Sequence, residues 1–297
     1  MATGAPTKFD QVLGGSTLFR MVSIAMIAYA MSTALEHQSV PASLSSLKYP
    51  RTHFSCSDSG DTKPSVEILD VFPHDPDGYT QGLLVARRGD DKFFIESTGR
   101  YGGSGLRKVD IPRGLFYPND YFGEGATHNE HGEIVFITWK NQTGFVFDLS
   151  KTNEFTMKRE FSFNTTTSHG WGIDYEGKAF FVSDSSHNIV FWNRETMRET
   201  RRITVHHDGK QIPYVNEMEF AKGYIYANVW LISAIVKIDP ANGEIVAIFD
   251  CSEVVKRAGK SPIPTEAFNG IAYDGEEDVF YVTRKLWSHM FKVKLIE

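Results

Sequence analysis

A repeated pattern is the feature that most constrains the fold of this chain. In five places, a short motif with glycine or a polar side chain precedes a run of β-branched and aromatic residues. Aligned positions in the five units are 43, 47, 46 and 52 residues apart, at Gln81, Glu124, Trp171, Glu217 and Asn269. Strand-rich repeats of about 40 to 50 residues are typical of propeller blades.

Further strands complete each unit. A third apolar segment follows in every unit, and a fourth is clearest at 156–161, 200–205 and 245–249. Helical periodicity is almost absent after residue 40, and the last unit ends without a fourth strand. Residues 67–72 form a spare strand ahead of the first unit. We therefore predict an all-β, five-bladed β-propeller closed by this N-terminal strand, which would complete the fifth blade.

The N-terminal region differs in composition from the repeats. Met21 to Leu35 is a mostly apolar run, shorter than the ~20 residues that span a membrane and typical of a secretory signal. The run begins late for a cleaved signal, so an uncleaved anchor stays the alternative. We predict a signal peptide or signal anchor at 1–35, a Ser-, Pro- and Thr-rich linker at 36–65 and the propeller at 66–297.

Two further features suit entry into the secretory pathway, with the endoplasmic reticulum, the vacuole or the extracellular space as destination. Asn141 and Asn164 each begin a glycosylation sequon in a predicted loop. Cys56 and Cys251 are the only cysteines, and ring closure would bring their segments together. We predict a disulfide bridge between them, with two unpaired thiols as the alternative.

Charge and ligand chemistry narrow the function. A net charge of -6 and a pI near 5.9 argue against a nucleic-acid partner. His128, His131 and His169 lie near predicted rim loops without a partner at ligand spacing, so we expect no catalytic zinc. A structural cation in the channel stays open. We expect a monomer that contacts a membrane only through its N-terminal segment, if that segment is uncleaved.

The predicted ring brings distant side chains to one rim. In a propeller, the first strand of each blade lines the channel, and the loops after the second strands face the same end. Tryptophans around Glu124 would exclude water and raise its pKa towards the range useful for proton transfer. The alternatives are that the tryptophans only fill the channel mouth and that Glu124, Asn216 and Asn269 only bond to strand amides. The side chains expected at this rim are Gln81, Glu96, Glu124, Trp139, Trp171, Asp184, Asn216, Glu217, Trp230, Asn269 and Lys285.

Several motifs resemble those of the plant and bacterial type of glutaminyl-peptide cyclotransferase (glutaminyl cyclase). They are Tyr79–Leu83, Phe122–Thr127, Gly170–Gly172, Asn216–Glu219, Ala227–Trp230, Phe268–Ala272 and Thr283–Trp287. The resemblance covers about residues 66–297 and implies a five-bladed propeller that converts N-terminal glutamine of peptides or proteins to pyroglutamate and releases ammonia. It implies no catalytic zinc and no other required cofactor. The site positions that it supports are Gln81, Glu124, Trp139, Trp171, Asn216, Trp230 and Lys285.

Roles for these residues follow from the reaction. Glu124 is the expected proton shuttle. Lys285, Gln81 or Asn216 would stabilise the oxyanion. The tryptophans and Asn269 would line the substrate pocket, and Glu96 or Glu217 would hold the α-ammonium group. Two alternatives are a non-catalytic propeller that binds a peptide or protein at its rim, and a metal-dependent hydrolase or lactonase, which the tryptophans and lysine disfavour.

Overall fold

The computed structural model describes residues 64–109, 120–149, 154–259 and 268–297, together with the backbone of 115–116. The predicted targeting segment, almost all of the predicted linker and Cys56 lie outside these residues. Within the described ranges, no helix has the length and apolar character needed to cross a bilayer.

Five four-stranded antiparallel sheets account for most of the described chain. The first four blades follow the chain from the inner strand to the outer strand. Blade 1 consists of β2 (Thr80–Arg88), β3 (Asp91–Thr98), β4 (Gly105–Lys108) and β5 (Leu115–Phe116). Blade 2 consists of β6 (Gly123–His128), β7 (Ile134–Thr138), β8 (Thr143–Leu149) and β9 (Phe155–Ser162). Blade 3 consists of β10 (Ile173–Tyr175), β11 (Ala179–Ser183), β12 (Asn188–Asn193) and β13 (Glu199–Thr204).

The remaining elements come after a small hairpin, β14 (His206–His207) and β15 (Lys210–Gln211). Blade 4 consists of β16 (Val215–Ala221), β17 (Tyr224–Val229), β18 (Ala234–Ile238) and β19 (Ile245–Asp250). A short helix, α1 (Ser252–Ala258), follows it. Blade 5 consists of β20 (Phe268–Asp274), β21 (Val279–Arg284), β22 (His289–Ile296) and, at its outer edge, β1 (Ser65–Pro73). The predicted all-β, five-bladed arrangement is confirmed.

The core lies between adjacent blades. The second strand of a blade is covered on both faces by neighbouring sheets, so most of its side chains are buried and apolar. In β7, Phe136 packs with residues of blade 1, whereas Val135 and Ile137 pack with residues of blade 3. Outer strands have solvent on one side, and β9 is accordingly exposed at most positions. The same apolar packing joins blades 4 and 5, and blades 5 and 1.

The inner strands approach one another closely around the channel. The Gly125 N–H donates to the carbonyl oxygen of Trp171 at 2.7 Å. A Cβ atom on Gly172 would lie 2.2 Å from the carbonyl oxygen of Asn216, so no side chain fits there. These contacts bring the backbones of consecutive blades into direct hydrogen-bonding range.

Glu217, on the inner strand of blade 4, extends its side chain to two other blades. Its Oε1 accepts from the Leu83 N–H of blade 1 at 3.1 Å, and its Oε2 accepts from the Ile271 N–H of blade 5 at 2.6 Å. The residue is buried, and burial raises its pKa well above the ordinary value, although the two amide donors oppose this rise. One carboxyl group therefore joins three of the five inner strands.

We predict that Glu217 is a stability determinant. Glu217→Ala leaves two buried N–H groups without an acceptor, at about 1 to 3 kcal/mol each. Glu217→Gln keeps one carbonyl acceptor, so chemical denaturation at mildly acidic pH should rank stability as wild type, then Gln, then Ala. Glu160→Ala, at an exposed position of β9, is the control and should change stability by less than about 0.5 kcal/mol. An alanine variant at position 217 as stable as wild type would contradict this role.

Candidate active site

Breaks in strand register place polar side chains at one end of the channel. The register between first and second strands shifts in four blades. Bulges of this kind redirect side chains locally. The polar residues within these shifts are Gln81, Glu124, Asn216 with Glu217, and Asn269.

The registers correct the sequence alignment of blade 4. Three of these shifts leave out two residues, which are Glu124 and Gly125 in blade 2, Asn216 and Glu217 in blade 4, and Asn269 and Gly270 in blade 5. Asn216, rather than Glu217, is therefore equivalent to Glu124. Glu217 occupies the position at which blade 2 has glycine. The sequence alone does not show this, because both residues of the pair are polar.

Tight turns after the second strands carry a second group of site residues. Ser185, Leu231 and Leu286 have φ angles of 72°, 66° and 60°. A left-handed residue lets the chain reverse within a few residues. The residues directly before these three are predicted site residues, namely Asp184, Trp230 and Lys285.

Glu124 is buried at the start of β6, with 5% of its surface exposed. Burial raises the pKa of its carboxyl well above the ordinary value, and the charge of Lys285 opposes that rise. No hydrogen bond from the described residues reaches this carboxyl, in contrast to Glu217 with its two amide donors. Lys285 is buried as well, and its Nζ lies 4.8 Å from the centroid of the Tyr79 ring. Glu124 is thus a desolvated acid beside a cation, with its oxygens available to a ligand.

Aromatic rings form a wall in two groups. The first is centred on Phe122, whose ring centroid lies 6.3 Å from that of Tyr79, 5.3 Å from that of Tyr101 and 5.6 Å from that of Trp139. Phe122 lies two residues before Glu124, so this group flanks the acid on the chain itself.

The second group comprises Trp171, Tyr214 and Trp230. Its ring centroids are 6.5 Å apart between Trp171 and Tyr214, 6.4 Å between Trp171 and Trp230, and 5.7 Å between Tyr214 and Trp230. The Gly125 N–H bond to Trp171 connects this group to the strand that carries Glu124. All three predicted tryptophans therefore belong to aromatic groups connected to β6.

Four of these aromatic residues were missed in the sequence analysis. Tyr79 and Phe122 lie inside the motifs that contain Gln81 and Glu124, so their position in the sequence could have identified them as site residues. Tyr101 and Tyr214 lie in loops and carried no such signal. Burial and the charge of Glu124 both raise the pKa of the Tyr101 hydroxyl, so this ring is within electrostatic range of the acid. Tyr214 has a φ of 65°, an uncommon conformation for a side chain of this size.

Among the predicted site residues, two buried polar atoms have no hydrogen-bond partner within the described residues. They are Nε1 of Trp139, a donor, and Oδ1 of Asn269, an acceptor. The other end of the Asn269 amide is fixed, because its Nδ2 donates to Oε1 of Gln81 at 3.1 Å and to the carbonyl of Thr80 at 3.2 Å. A buried polar atom without a partner is costly unless a ligand or water satisfies it.

Glu96 lies in a network of protein donors. It accepts from Thr80 Oγ1 at 2.6 Å and from Arg107 Nε at 2.8 Å, and its Oε1 lies 3.3 Å from His74 Nε2. Burial alone would raise the pKa of Glu96, but His74 and Arg107 reverse this and hold it below the ordinary value. Together with the amide contacts of Glu217, these bonds favour a structural role for both carboxylates over binding of the α-ammonium group.

Three other side chains from the sequence analysis are also placed. Asp184 accepts from the backbone N–H groups of Thr167 and Ser186, at 3.1 Å each, and shapes its loop. His128 and His131 lie at the end of β6 and in the following turn, so the expectation that they are near the rim was wrong. The inner strand runs away from the rim between Gly123 and His128. A depression at that far end is lined by His128 but by none of the predicted site residues.

Among the residues that the structure describes, no three His, Cys, Asp or Glu side chains are arranged to hold an ion.

Comparison with known proteins decides the family. The sequence model of a family described as Glutamine cyclotransferase matches residues 41–295. The chain belongs to the glutamine cyclotransferase family. The match begins inside the predicted linker, so the family sequence extends further towards the N-terminus than the motifs suggested.

Two relatives agree with this membership. The chain is 36% identical over 239 residues to a glutaminyl-peptide cyclotransferase of Arabidopsis thaliana, covering 77% of this chain and 71% of the relative. A crystal structure of the glutaminyl cyclase of Myxococcus xanthus is similar with a TM-score of 0.70 at 26% identity, over 79% of this chain and 99% of that one. The resemblance seen in the motifs is therefore confirmed for this member of the glutamine cyclotransferase family.

We predict that Glu124 limits stability as pH rises. Its pKa is higher in the folded chain than the value near 4.3 of an unfolded chain. Its contribution is therefore fully present below the unfolded value and is lost as pH rises through the folded one. Glu124→Gln removes this loss, so the variant should gain stability relative to wild type between pH 5 and pH 8 in urea unfolding. An unchanged difference between the two proteins at both pH values would show that the acid is not desolvated.

Proposed function

We propose that this member of the glutamine cyclotransferase family cyclises the N-terminal glutamine of peptides and proteins, with Glu124 as the proton carrier. Family membership and the named relatives support the reaction. One observation supports the assignment of Glu124 as the proton carrier. Glu124 is the buried acid beside Lys285 whose carboxyl no described residue engages in a hydrogen bond, whereas those of Glu217 and Glu96 are held by protein donors.

The reaction needs two proton transfers. Glu124 as carboxylate takes a proton from the α-amine while the amine nitrogen attacks the γ-carboxamide carbon of the same residue. The new N–C bond gives a tetrahedral oxyanion. Protonated Glu124 then donates to the former amide nitrogen, the C–N bond breaks, and ammonia leaves from the pyroglutamyl product. A raised pKa suits a group that must both accept and donate near neutral pH.

The pocket supplies position and charge. Attack within one residue requires a folded side chain, and enclosing aromatic groups favour such a near-attack conformer. We assign oxyanion stabilisation to Lys285, the buried cation next to Glu124. The free Nε1 of Trp139 is suited to donate to a substrate carbonyl, and the free Oδ1 of Asn269 to accept from the α-amine.

The roles of the remaining predicted residues follow from their contacts. Gln81 fixes the Asn269 amide through its Oε1, and Asn216 occupies the bulge position of blade 4. We propose that catalysis needs no zinc. A non-catalytic peptide-binding propeller would show no turnover, and a metal-dependent hydrolase would lose activity with chelator.

The first activity prediction concerns Glu124→Gln. Ammonia release from a glutamine-initiated dipeptide should fall by about 100- to 10,000-fold, the usual contribution of a general acid–base. Wild-type turnover should persist in EDTA. Glu160→Gln, an exposed change of the same chemistry, should retain full activity. A Glu124→Gln variant with near wild-type activity would exclude the proposed shuttle.

The second activity prediction concerns Lys285. Its charge lowers the pKa of Glu124, so Lys285→Met should raise that pKa further. The acidic limb of the pH profile of kcat/KM should then move to higher pH, and the plateau should fall because the oxyanion loses its cation. A lower plateau with an unmoved acidic limb would mean that Lys285 acts on the oxyanion but not on Glu124.

We also propose entry into the secretory pathway and ring closure by β1. Asn141 and Asn164 are both exposed, and Gln142 Nε2 donates to Asn164 Oδ1 at 3.2 Å, so glycans there would lie close together near the site. Cys251 is buried just before α1, where its Sγ donates to the Phe249 carbonyl at 3.6 Å, and we propose its bridge to Cys56 on the sequence argument alone. β1 pairs with β22 from Ser65↔Ile296 to Pro73↔His289, which supports closure. N-terminal sequencing and non-reducing peptide mapping of the secreted protein test the targeting and disulfide proposals.

A further inference from the structure

The aromatic wall of the pocket also contacts two cations, one on the Tyr79 ring and one on the Trp139 ring. Ring contacts run from Tyr79 through Phe122 and Trp139 to His169, whose centroid is 5.6 Å from that of Trp139. The guanidinium of Arg100 lies 5.3 Å from the centroid of Tyr79. Nζ of Lys140 lies 3.9 Å from that of Trp139. We call these six residues the cationic aromatic rim.

The two cations have no carboxylate partner among the residues that the structure describes. Within the described ranges, neither Arg100 nor Lys140 forms an ion pair, and their contacts are with ring faces. Burial and then the charge of Lys140 lower the pKa of His169, and the charge of Asp184 opposes them, so Lys140 and Asp184 both act on that ring. The local positive charge stands out in a protein with a net charge of -6.

Nearby acids are engaged elsewhere or approach through their backbone. Asp75 pairs with Arg107, and Asp184 accepts loop amides. Asp120 reaches this region through its carbonyl, which accepts from Asn141 Nδ2 at 3.4 Å. An anionic ligand would therefore meet both cations with little competition from the protein.

The rim shares residues with the wall of the pocket, so a peptide bound at Glu124 can extend along it. Phe122 and Trp139 line both the pocket and the rim, and Tyr101, beside Phe122, is 46% exposed. An extended peptide advances about 3.3 Å per residue, so its second to fourth residues cover about 10 Å beyond the glutamine. Neighbouring rings of the rim are about 6 Å apart, which matches such a segment.

We propose that the cationic aromatic rim is a subsite that favours peptide substrates with an acidic side chain within the three residues after the N-terminal glutamine. This inference rests on the proposed function. The aromatic faces would pack against the peptide, and Arg100 or Lys140 would pair with the carboxylate. Exposed ion pairs contribute about 0.2 to 1 kcal/mol, so each cation should change kcat/KM by up to about fivefold.

The test compares tetrapeptides Gln-X-Ala-Ala in which X is Glu, Gln or Lys. The expected order of kcat/KM is Glu, then Gln, then Lys, with smaller differences at high salt because exposed charges are screened. The double variant Arg100→Glu and Lys140→Glu should reverse this order and gain activity on the lysine peptide. Lys178→Glu is the matched control, since Lys178 is exposed in the β10–β11 turn at the far end of the channel, and it should keep the wild-type order.

Two outcomes overturn the proposal and differ in meaning. Equal kcat/KM for the three peptides, or an order unchanged in the double variant, would exclude the subsite while leaving the cyclase activity intact. Absence of ammonia from every peptide with the wild-type protein would overturn the proposed function and the subsite with it.

Discussion

The carboxyl of Glu217 is the contact on which the geometry of the channel depends. It accepts from one backbone amide of β2 and one of β20, and so connects the inner strand of blade 4 to blades 1 and 5. Blades 1 and 5 supply Gln81 and Asn269, each two residues before one of those amides. Elsewhere in the ring, glycines let the backbones meet directly, as at Gly125 and Trp171. The positions of the site residues therefore follow from how tightly the inner strands pack.

The same enclosure that holds the ring together prepares the chemistry. Two glutamates of the inner strands, Glu124 in blade 2 and Glu217 in blade 4, are both buried, and burial raises the pKa of both. Their surroundings separate their roles, because Glu217 receives two amide donors while the carboxyl of Glu124 receives none from the described residues and has the charge of Lys285 nearby. A desolvated acid without protein partners reduces stability and is retained in proteins where function requires it.

The fold was predictable because its signal is local and repeated. Each blade carries its own alternation of turn and apolar strand, and the five sheets follow the repeats. Glu124 was predictable because glycines flank it, and those glycines accompany the bulge. The strand register of blade 4 was not predictable, since Asn216 and Glu217 are both polar and only strand pairing shows which of them is equivalent to Glu124. The ion pairs of Glu96 could not be predicted either, because Arg107 and His74 come from other segments of the chain. Tyr101 and Tyr214 enter the wall from loops without periodicity.

The proposed chemistry depends most on the desolvation of Glu124. The direct measurement is the ionisation of its carboxyl, followed by 13C NMR of protein labelled at glutamate side-chain carboxyl carbons, with Glu124→Gln to assign the signal. A midpoint well above the ordinary glutamate value of about 4.3 is the predicted result. A midpoint at or below that value would contradict a buried proton carrier in the channel.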